Sequence, residues 1–409
     1  MLEHVIHSHV ISHLEANGSL TDTQHGFRKK RSCETQLLQT IDTLAKAINN
    51  KEQIDSILLD FSKAFDKVCH RKLIIKLMHY GINGNILSWI TNFLSNRSQC
   101  VVVRGKSSKS SPVISGVPQG TVLGPLLFLI YINDMPDEVK SRIALFADDA
   151  YLYRSISSAE DAAQLQNDLD NLVSWESKWS MQFHPDKCLL LRVTNKRNII
   201  DTEYSIHGEI LKKVDKAKYL GIVISKNLAW NKHIDLITSK ATNTRLFLQR
   251  NLSWTDKNTR LMCYKTFTRP LVEYASTVWD PVENDSLIYQ IEMIQRKSIR
   301  WIAREWSYDV SPDTIRKSLS LETLEFRRYK AKLKMLHDIA AGRKFVDSAI
   351  HPKRQRCSNV RYQPIQARIK CYSNSFFPST VQYWNELPSN IANLLDENEF
   401  KDVIDKIST

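Results

Sequence analysis

At 409 residues, with 42% apolar and 25% charged residues, the chain has room for two or three domains and is not a disordered polymer. A net charge of +13 fits a polyanionic partner, nucleic acid first and an anionic membrane surface second. Seven scattered cysteines without a C-x-x-C pair exclude a disulfide framework or zinc ribbon and point to a reducing compartment.

The opening residues, MLEHVIHSHV, lack the apolar run of a signal peptide. The longest apolar stretch, residues 122–132, contains Gly124 and Pro125 and falls short of the roughly 20 residues that a membrane-spanning helix needs. A nuclear or cytoplasmic protein is expected. His4, His7, His9 and His13 lie in a short helical segment, where His9 and His13, four apart, could share a metal, although no Cys or carboxylate completes the set. Next comes a basic loop, residues 24–32, with Arg28, Lys29, Lys30 and Arg31; it leads into a helix with Leu37, Leu38, Ile41, Leu44, Ala45 and Ile48 on one face. Cations and free N–H donors at a helix start can hold phosphate.

Residues 54–60 read as a buried strand ending in Asp60, a costly place for a carboxylate unless it faces a cleft or a cation. The chain then turns into helix over 61–68, breaks at His70-Arg71, and continues as helix to Gly81. An amphipathic helix over 84–96 and a strand over 99–104 follow. In Ser115-Gly116-Val117-Pro118-Gln119-Gly120, the glycines permit close backbone approach, Pro118 stiffens the loop, and Gln119 offers a planar donor and acceptor. The apolar helix over 123–132, with Pro125 in its first turn, must be core and holds that loop rigid.

Asp148 and Asp149 interrupt an apolar and aromatic run. This predicts a tight hairpin, 143–147 in and 150–155 out, with the carboxylates at its tip. Adjacent like charges are unfavourable unless a cation sits between them, although Asp-Asp also occurs as a plain solvated turn. Ser158-x-x-Asp161 is a capping box for a helix carrying Leu165, Leu169, Leu172 and Trp179. A strand over 188–193 and a hairpin across His207-Gly208, with 219–224 as its returning strand, complete an order resembling the split βαβ arrangement. In such a sheet Asp60 lies beside Asp148 and Asp149, and three carboxylates converge on one edge.

Beyond Leu228 the pattern turns helical: 234–251, 255–273 and 285–304, with Thr255 and Asp285 as N-caps. Exposed faces carrying Lys240, Arg245, Arg250, Lys257, Arg260, Lys265, Arg269, Arg296, Lys297 and Arg300 look suited to a phosphate backbone. Residues 311–370 hold 15 Lys+Arg against 5 Asp+Glu, including another basic helix over 320–342 and a basic, loop-rich stretch over 343–380. An aromatic cluster over 375–385 suits either single-stranded nucleic acid or packing within a small module, and the tail after Leu387 is acidic and helical. Three carboxylates at a sheet edge beside a basic surface are what two-metal phosphoryl transfer requires, which leaves nucleases and polymerases open.

The motifs 59–68 (Leu-Asp-Phe-Ser-Lys-Ala-Phe-Asp-Lys-Val), 115–120, 146–149 (Phe-Ala-Asp-Asp) and 218–221 (Lys-Tyr-Leu-Gly) resemble, in order, the palm motifs of reverse transcriptases. Residues 24–32 resemble a further motif of non-LTR retrotransposons, and the jockey-like, target-primed branch is the nearest match; 264–281 and 375–388 also look like its downstream region. The resemblance implies an α+β fold: a right-hand polymerase palm, with a ferredoxin-like antiparallel sheet backed by helices, then an all-α thumb and a basic C-terminal region. It divides the chain into partial fingers (1–53), palm (54–227), helical thumb (228–310) and basic C-terminal region (311–409).

It further implies Asp60, Asp148 and Asp149 as catalytic carboxylates that hold two Mg²⁺ ions, Mn²⁺ being a possible substitute, with Lys187 protonating pyrophosphate. Phe61, Ala64, Phe65, Gln119, Gly120 and Arg28 would form the nucleotide site, the Phe65 ring excluding a ribose 2′-hydroxyl, and Tyr219, Leu220 and Gly221 would hold the primer end. The implied partners are an RNA template, a DNA primer and dNTPs, with no membrane and a target-site endonuclease supplied from elsewhere. The chain departs from the family in Lys30, where glycine is common, and His184, where asparagine is usual, and it begins just after the expected triphosphate-binding fingers segment. Two functions follow as expectations: an RNA-directed DNA polymerase, or a truncated, inert remnant that only binds nucleic acid.

Overall fold

The computed structural model describes residues 1–347 and 361–407; residues 348–360 of the basic, loop-rich stretch, with Cys357, lie outside the described residues. Two compact units divide the chain. The first comprises Met1–Gln36, Glu52–Arg192 and Lys196–Asp215, and the second comprises Leu37–Lys51, Val193–Asn195 and Lys216 onward.

The first unit is built on a five-stranded sheet. Its strands are β1 (Ile54–Leu59), β2 (Arg142–Phe146), β3 (Asp149–Ser155), β4 (Leu189–Val193) and β5 (Lys212–Val214), in the order β5-β4-β1-β3-β2. The aliphatic run of β1 is buried almost throughout, so it takes the centre, antiparallel to β3 with Leu59 opposite Ala150. Burial of Asp55 within β1 is tolerated because Arg192 on β4 donates to both its oxygens, at 2.8 and 3.0 Å, and the Tyr204 hydroxyl adds a third bond at 2.9 Å.

Helices α1 (Leu2–Ala16), α2 (Cys33–Asn49), α3 (His70–His79), α4 (Gly84–Leu94), α5 (Leu123–Ile132) and α6 (Ala159–Trp179) accompany this sheet in sequence, most of α2 grouping with the second unit. Every residue of α5 except Pro125 is buried, as an all-apolar helix requires. Each large aliphatic or aromatic side chain there contributes about 1.5–3 kcal/mol over exposure. Ser158 caps α6 by accepting from the Asp161 amide, and Leu165, Leu169, Leu172 and Trp175 form its buried stripe.

Several expectations are corrected. The sheet is not wholly antiparallel, since β4 and β5 run parallel. The strand expected over 99–104 is two exposed ribbons, Ser98–Gln99 with Ser111–Pro112 and Val102–Val103 with Lys106–Ser107, because its valines have no core to face. His207 (φ 54°) and Gly208 (φ 77°) make a two-residue turn that returns immediately as Glu209–Ile210. Residues 219–224 belong instead to a separate hairpin of β6 (Lys216–Tyr219) and β7 (Ile222–Ser225) in the second unit. His13 of α1 bonds the Tyr80 carbonyl at 2.9 Å rather than joining His9 on a metal.

The second unit is mainly helical: α7 (Asn231–Asn251), α8 (Lys257–Cys263), α9 (Ser276–Trp279), α10 (Asp285–Ala303), α11 (Pro312–Ser318) and α12 (Leu324–Ala340). The helix expected over 255–273 is interrupted by a π turn, Tyr264–Thr268, just before Pro270, which has no N–H to donate and would clash with the preceding turn. Asp256 and Asn284, not Thr255 and Asp285, are the caps. Arg245 and Arg260 are buried, and Arg260 donates to the Ile302 carbonyl at 2.8 Å, so neither offers a cation to a phosphate backbone.

The basic helix α12 is likewise largely satisfied internally. Arg328 and Lys332 flank Asp280, Arg327 pairs with Glu273, Lys330 with Glu322, and Lys334 with Asp405. The aromatic cluster resolves to packing: Trp384 and Phe400 stack 5.4 Å apart, and His337 lies 4.0 Å from Phe400.

Candidate active site

The site of the first unit forms where β1 ends and the β2–β3 hairpin turns. Phe146 pairs with Asp149, so the loop is Ala147-Asp148 alone, with Ala147 left-handed at φ 53°. Asp148 is therefore in the turn and half-buried, while Asp149 has entered β3 and is exposed. Neighbours on a strand point to opposite faces. Continuing the β1–β3 register sets Asp60 opposite Asp149, next to the turn that holds Asp148. Burial pushes the Asp148 carboxyl above its ordinary value, and the Asp60 charge pushes it the same way.

Beyond Asp60 the chain zips against residues 182–184. Ser62 donates to the Gln182 carbonyl, His184 donates to the Asp60 carbonyl, both at 2.8 Å, and the Phe61 and Phe183 rings stack at 4.4 Å. The short turn Pro185–Lys187 then returns the Lys187 ammonium to 3.1 Å from Asp60 Oδ2. That oxygen is buried and accepts no aligned hydrogen bond, so the contact is an ion pair rather than a directed bond.

The Ser115–Gly120 loop docks on the segment after Asp60. Gly116 N–H donates to the Val68 carbonyl (2.8 Å), Val117 N–H to the Phe65 carbonyl (2.9 Å), the Ser115 hydroxyl to the Asp66 carbonyl (2.9 Å), and the Gln119 amide to the Asp66 carboxylate (3.3 Å). Gly116 is required here: φ is 90°, and a β-carbon would lie 2.9 Å from Asp66 backbone atoms. Phe65 is half-buried and stacks on Phe128 of α5 at 4.3 Å. Lys63, Asp66, Arg97 and Gln119 line an adjoining cleft of about 590 Å³.

Not every expected residue joins. Phe61 and Ala64 are buried in the core, so their side chains do not line the cleft. Arg28 donates to the Thr21 carbonyl at 2.8 Å and Arg31 reaches the Asp22 carboxylate at 2.5 Å; Lys29 and Lys30 are the exposed cations of that loop. Tyr219, Leu220 and Gly221 form the β6–β7 turn, where the Tyr274 hydroxyl donates to the Leu220 carbonyl at 3.0 Å. Sequence reasoning missed Asp66 as the partner of Gln119, and His70, whose ring bonds the Gly116 carbonyl at 2.7 Å. Only their nearness to Asp60 in sequence hinted at either.

Among the described residues no three His, Cys, Asp or Glu side chains gather as a ready-made metal cage. Asp60 and Asp148 suit a hard divalent cation. One has a buried oxygen without an aligned donor, the other a carboxyl disfavoured by its neighbour's charge.

A sheet with one aspartate ending its central strand and another in the facing hairpin turn defines the class, and comparison agrees. Residues 2–224 match the family described as "Reverse transcriptase (RNA-dependent DNA polymerase)", and the chain belongs to that family. Its named relatives put it on the jockey-like, non-LTR side. The "Probable RNA-directed DNA polymerase from transposon BS" of Drosophila melanogaster is 30% identical over 353 residues, 79% of this chain and 38% of that protein. The "RNA-directed DNA polymerase from mobile element jockey" of the same species is 28% identical over 317 residues, 74% of this chain and 34% of that protein. The chain thus spans little more than a third of the length of these relatives. Among solved structures, an apo telomerase from Candida Tropicalis superposes with a TM-score of 0.47 and 12% identity, covering 83% of this chain and 55% of that one.

Proposed function

We propose that this chain is an RNA-directed DNA polymerase of a non-LTR retrotransposon, extending a DNA 3′ end on an RNA template. The observation that carries this reading is the placement of Asp60 at the end of the central strand, next to the hairpin turn that holds Asp148, whose carboxylate the Asp60 charge disfavours. Mg²⁺, or Mn²⁺ in its place, held by Asp60 and Asp148, would supply Lewis-acid stabilisation of the reacting phosphate oxygens. Asp149, the exposed first residue of β3, would be the third carboxylate beside them. Lys187 holds its ammonium proton at Nζ against Asp60, within reach of a leaving pyrophosphate.

Phe65, braced by Phe128, would present its ring to the sugar of a bound dNTP and exclude a 2′-hydroxyl. Gln119 and Gly120, at the exposed crest of their loop, would meet the nucleotide. Lys29 and Lys30, rather than Arg28, are the cations of the 24–32 loop available to phosphate. On this reading residues 1–53 are partial fingers, 54–227 palm, 228–310 thumb and 311–409 the C-terminal region, with Tyr219-Leu220-Gly221 gripping the primer. The chain would act in a ribonucleoprotein shared between cytoplasm and nucleus.

The inert-binder alternative draws on the basic helices, and the pairing of Arg328, Lys330 and Lys332 with Asp280 and Glu322 weakens it. Purified chain given RNA template, DNA primer, dNTPs and Mg²⁺ decides between them. Template-dependent extension that Asp148→Asn abolishes supports the polymerase. Salt-sensitive binding without extension supports the inert binder.

A further inference from the structure

From the geometry we infer that Gln24 is a positioning residue that holds the Ala147-Asp148 turn from outside the sheet, an inference that rests on Asp148 being part of the polymerase site. Residues 23–25 run beside edge strand β2. Leu145 N–H donates to the Thr23 carbonyl at 2.9 Å and His25 N–H donates to the Leu145 carbonyl at 2.8 Å, making Gln24 and Leu145 a parallel bridge. The Gln24 side chain, 3% exposed, then reaches the peptide units on both sides of the Ala147 α-carbon. Its Oε1 accepts from Ala147 N–H at 2.9 Å and from Gly26 N–H at 2.7 Å, and its Nε2 donates to the Ala147 carbonyl at 3.4 Å.

Ala147 is left-handed, a conformation an alanine does not hold unaided. Its carbonyl carbon begins the peptide that carries Asp148. Grasping both its N–H and its C=O sets the two torsions that aim that carboxylate. Gly26 lets the loop come this close, because a β-carbon there would overlap the Ala147 nitrogen. The loop is anchored behind by His25 on the Thr35 hydroxyl at 2.9 Å and by Arg31 on Asp22. The loop arginines therefore shape a brace for the turn, while Gln24 supplies its contacts.

Three variants test this: Gln24→Met, which keeps size and removes every hydrogen bond; Gln24→Glu, which keeps the two accepted bonds; and Asp148→Asn. Expected for Gln24→Met is a kcat for primer extension about 10–100-fold lower, with KM for primer–template unchanged. Faster amide exchange at residues 145–149, weaker Mn²⁺ binding by water-proton relaxation and an unchanged global unfolding transition should accompany it. Gln24→Glu should recover part of both kcat and exchange protection. Wild-type kcat and exchange in Gln24→Met, with Asp148→Asn inactive, would overturn the inference while leaving the polymerase reading standing. An equal loss in both Gln24 variants that tracks global unfolding would overturn it too. Extension by Asp148→Asn would overturn the reading beneath it, and local exchange alone would then decide whether Gln24 holds the turn.

Discussion

Asp148 and Asp280, one in each compact unit, are carboxylates partly or largely withdrawn from water, and their surroundings treat the charge in opposite ways. Burial would raise the Asp280 carboxyl, but Lys332 at 2.9 Å and Arg328 at 2.7 Å outweigh it and hold the carboxyl below its ordinary value of 3.8. Asp148 feels burial and the Asp60 charge, both pushing it above 3.8. A structural carboxylate is neutralised by the protein's own cations, whereas this site leaves the Asp148 carboxylate without one among the groups that shift it, the electrostatic setting the proposed metal ion would relieve.

Breaking the satisfied side should have the largest effect. Asp280→Ala leaves Arg328 and Lys332 buried and unpaired and should cost about 3–5 kcal/mol in urea unfolding. Asp148→Asn should cost little stability but lower primer extension at least about 100-fold in a single-turnover assay. Third, Mg²⁺ should stabilise the wild type against unfolding by about 2.7 kcal/mol at 100 times its Kd and leave Asp148→Asn nearly unmoved.

The pH dependence sharpens the contrast. Because the Asp280 carboxyl is depressed, its contribution to stability is present above pH 3.8 and is lost as pH falls through the lowered value. Asp148 is raised, so its contribution is present below 3.8 and is lost as pH rises through the raised value. In the metal-free protein, Asp148→Asn should therefore gain on the wild type as pH climbs from 4 toward 7, and the gap should close in acid. The smallest effect belongs to Lys187→Ala: its half-exposed pair with Asp60 should change stability by less than about 1 kcal/mol, while the pH profile of extension shifts.

Much of this was legible in the sequence where the signal is local. The apolar run of α5, the Ser158 cap of α6, the burial of β1 and the Asp148 hairpin all follow from periodicity or turn chemistry within a few residues. What escaped depends on partners distant in sequence. Arg192 meets Asp55, Arg328 meets Asp280 and Gln24 meets Ala147, and no composition count separates these cations and amides from solvated ones. The basic stretch around α12 misled for this reason: charge was countable, pairing was not. Arg28 and Lys29 likewise stand side by side in sequence, yet one holds backbone carbonyls and the other faces solvent.

The π turn at Tyr264–Thr268 has a consequence for register. Such a turn adds one residue to a helical winding, so everything after it is out of phase by about 100° with what an uninterrupted helix would present. Here the winding passes straight into a 3₁₀ turn, Arg269–Val272, with Val272 buried and the Tyr274 hydroxyl just beyond it on the Leu220 carbonyl, against Gly221. Deleting a single residue from the turn would shift everything that follows it, and the β6–β7 turn would lose its tyrosine without a residue of its own being altered.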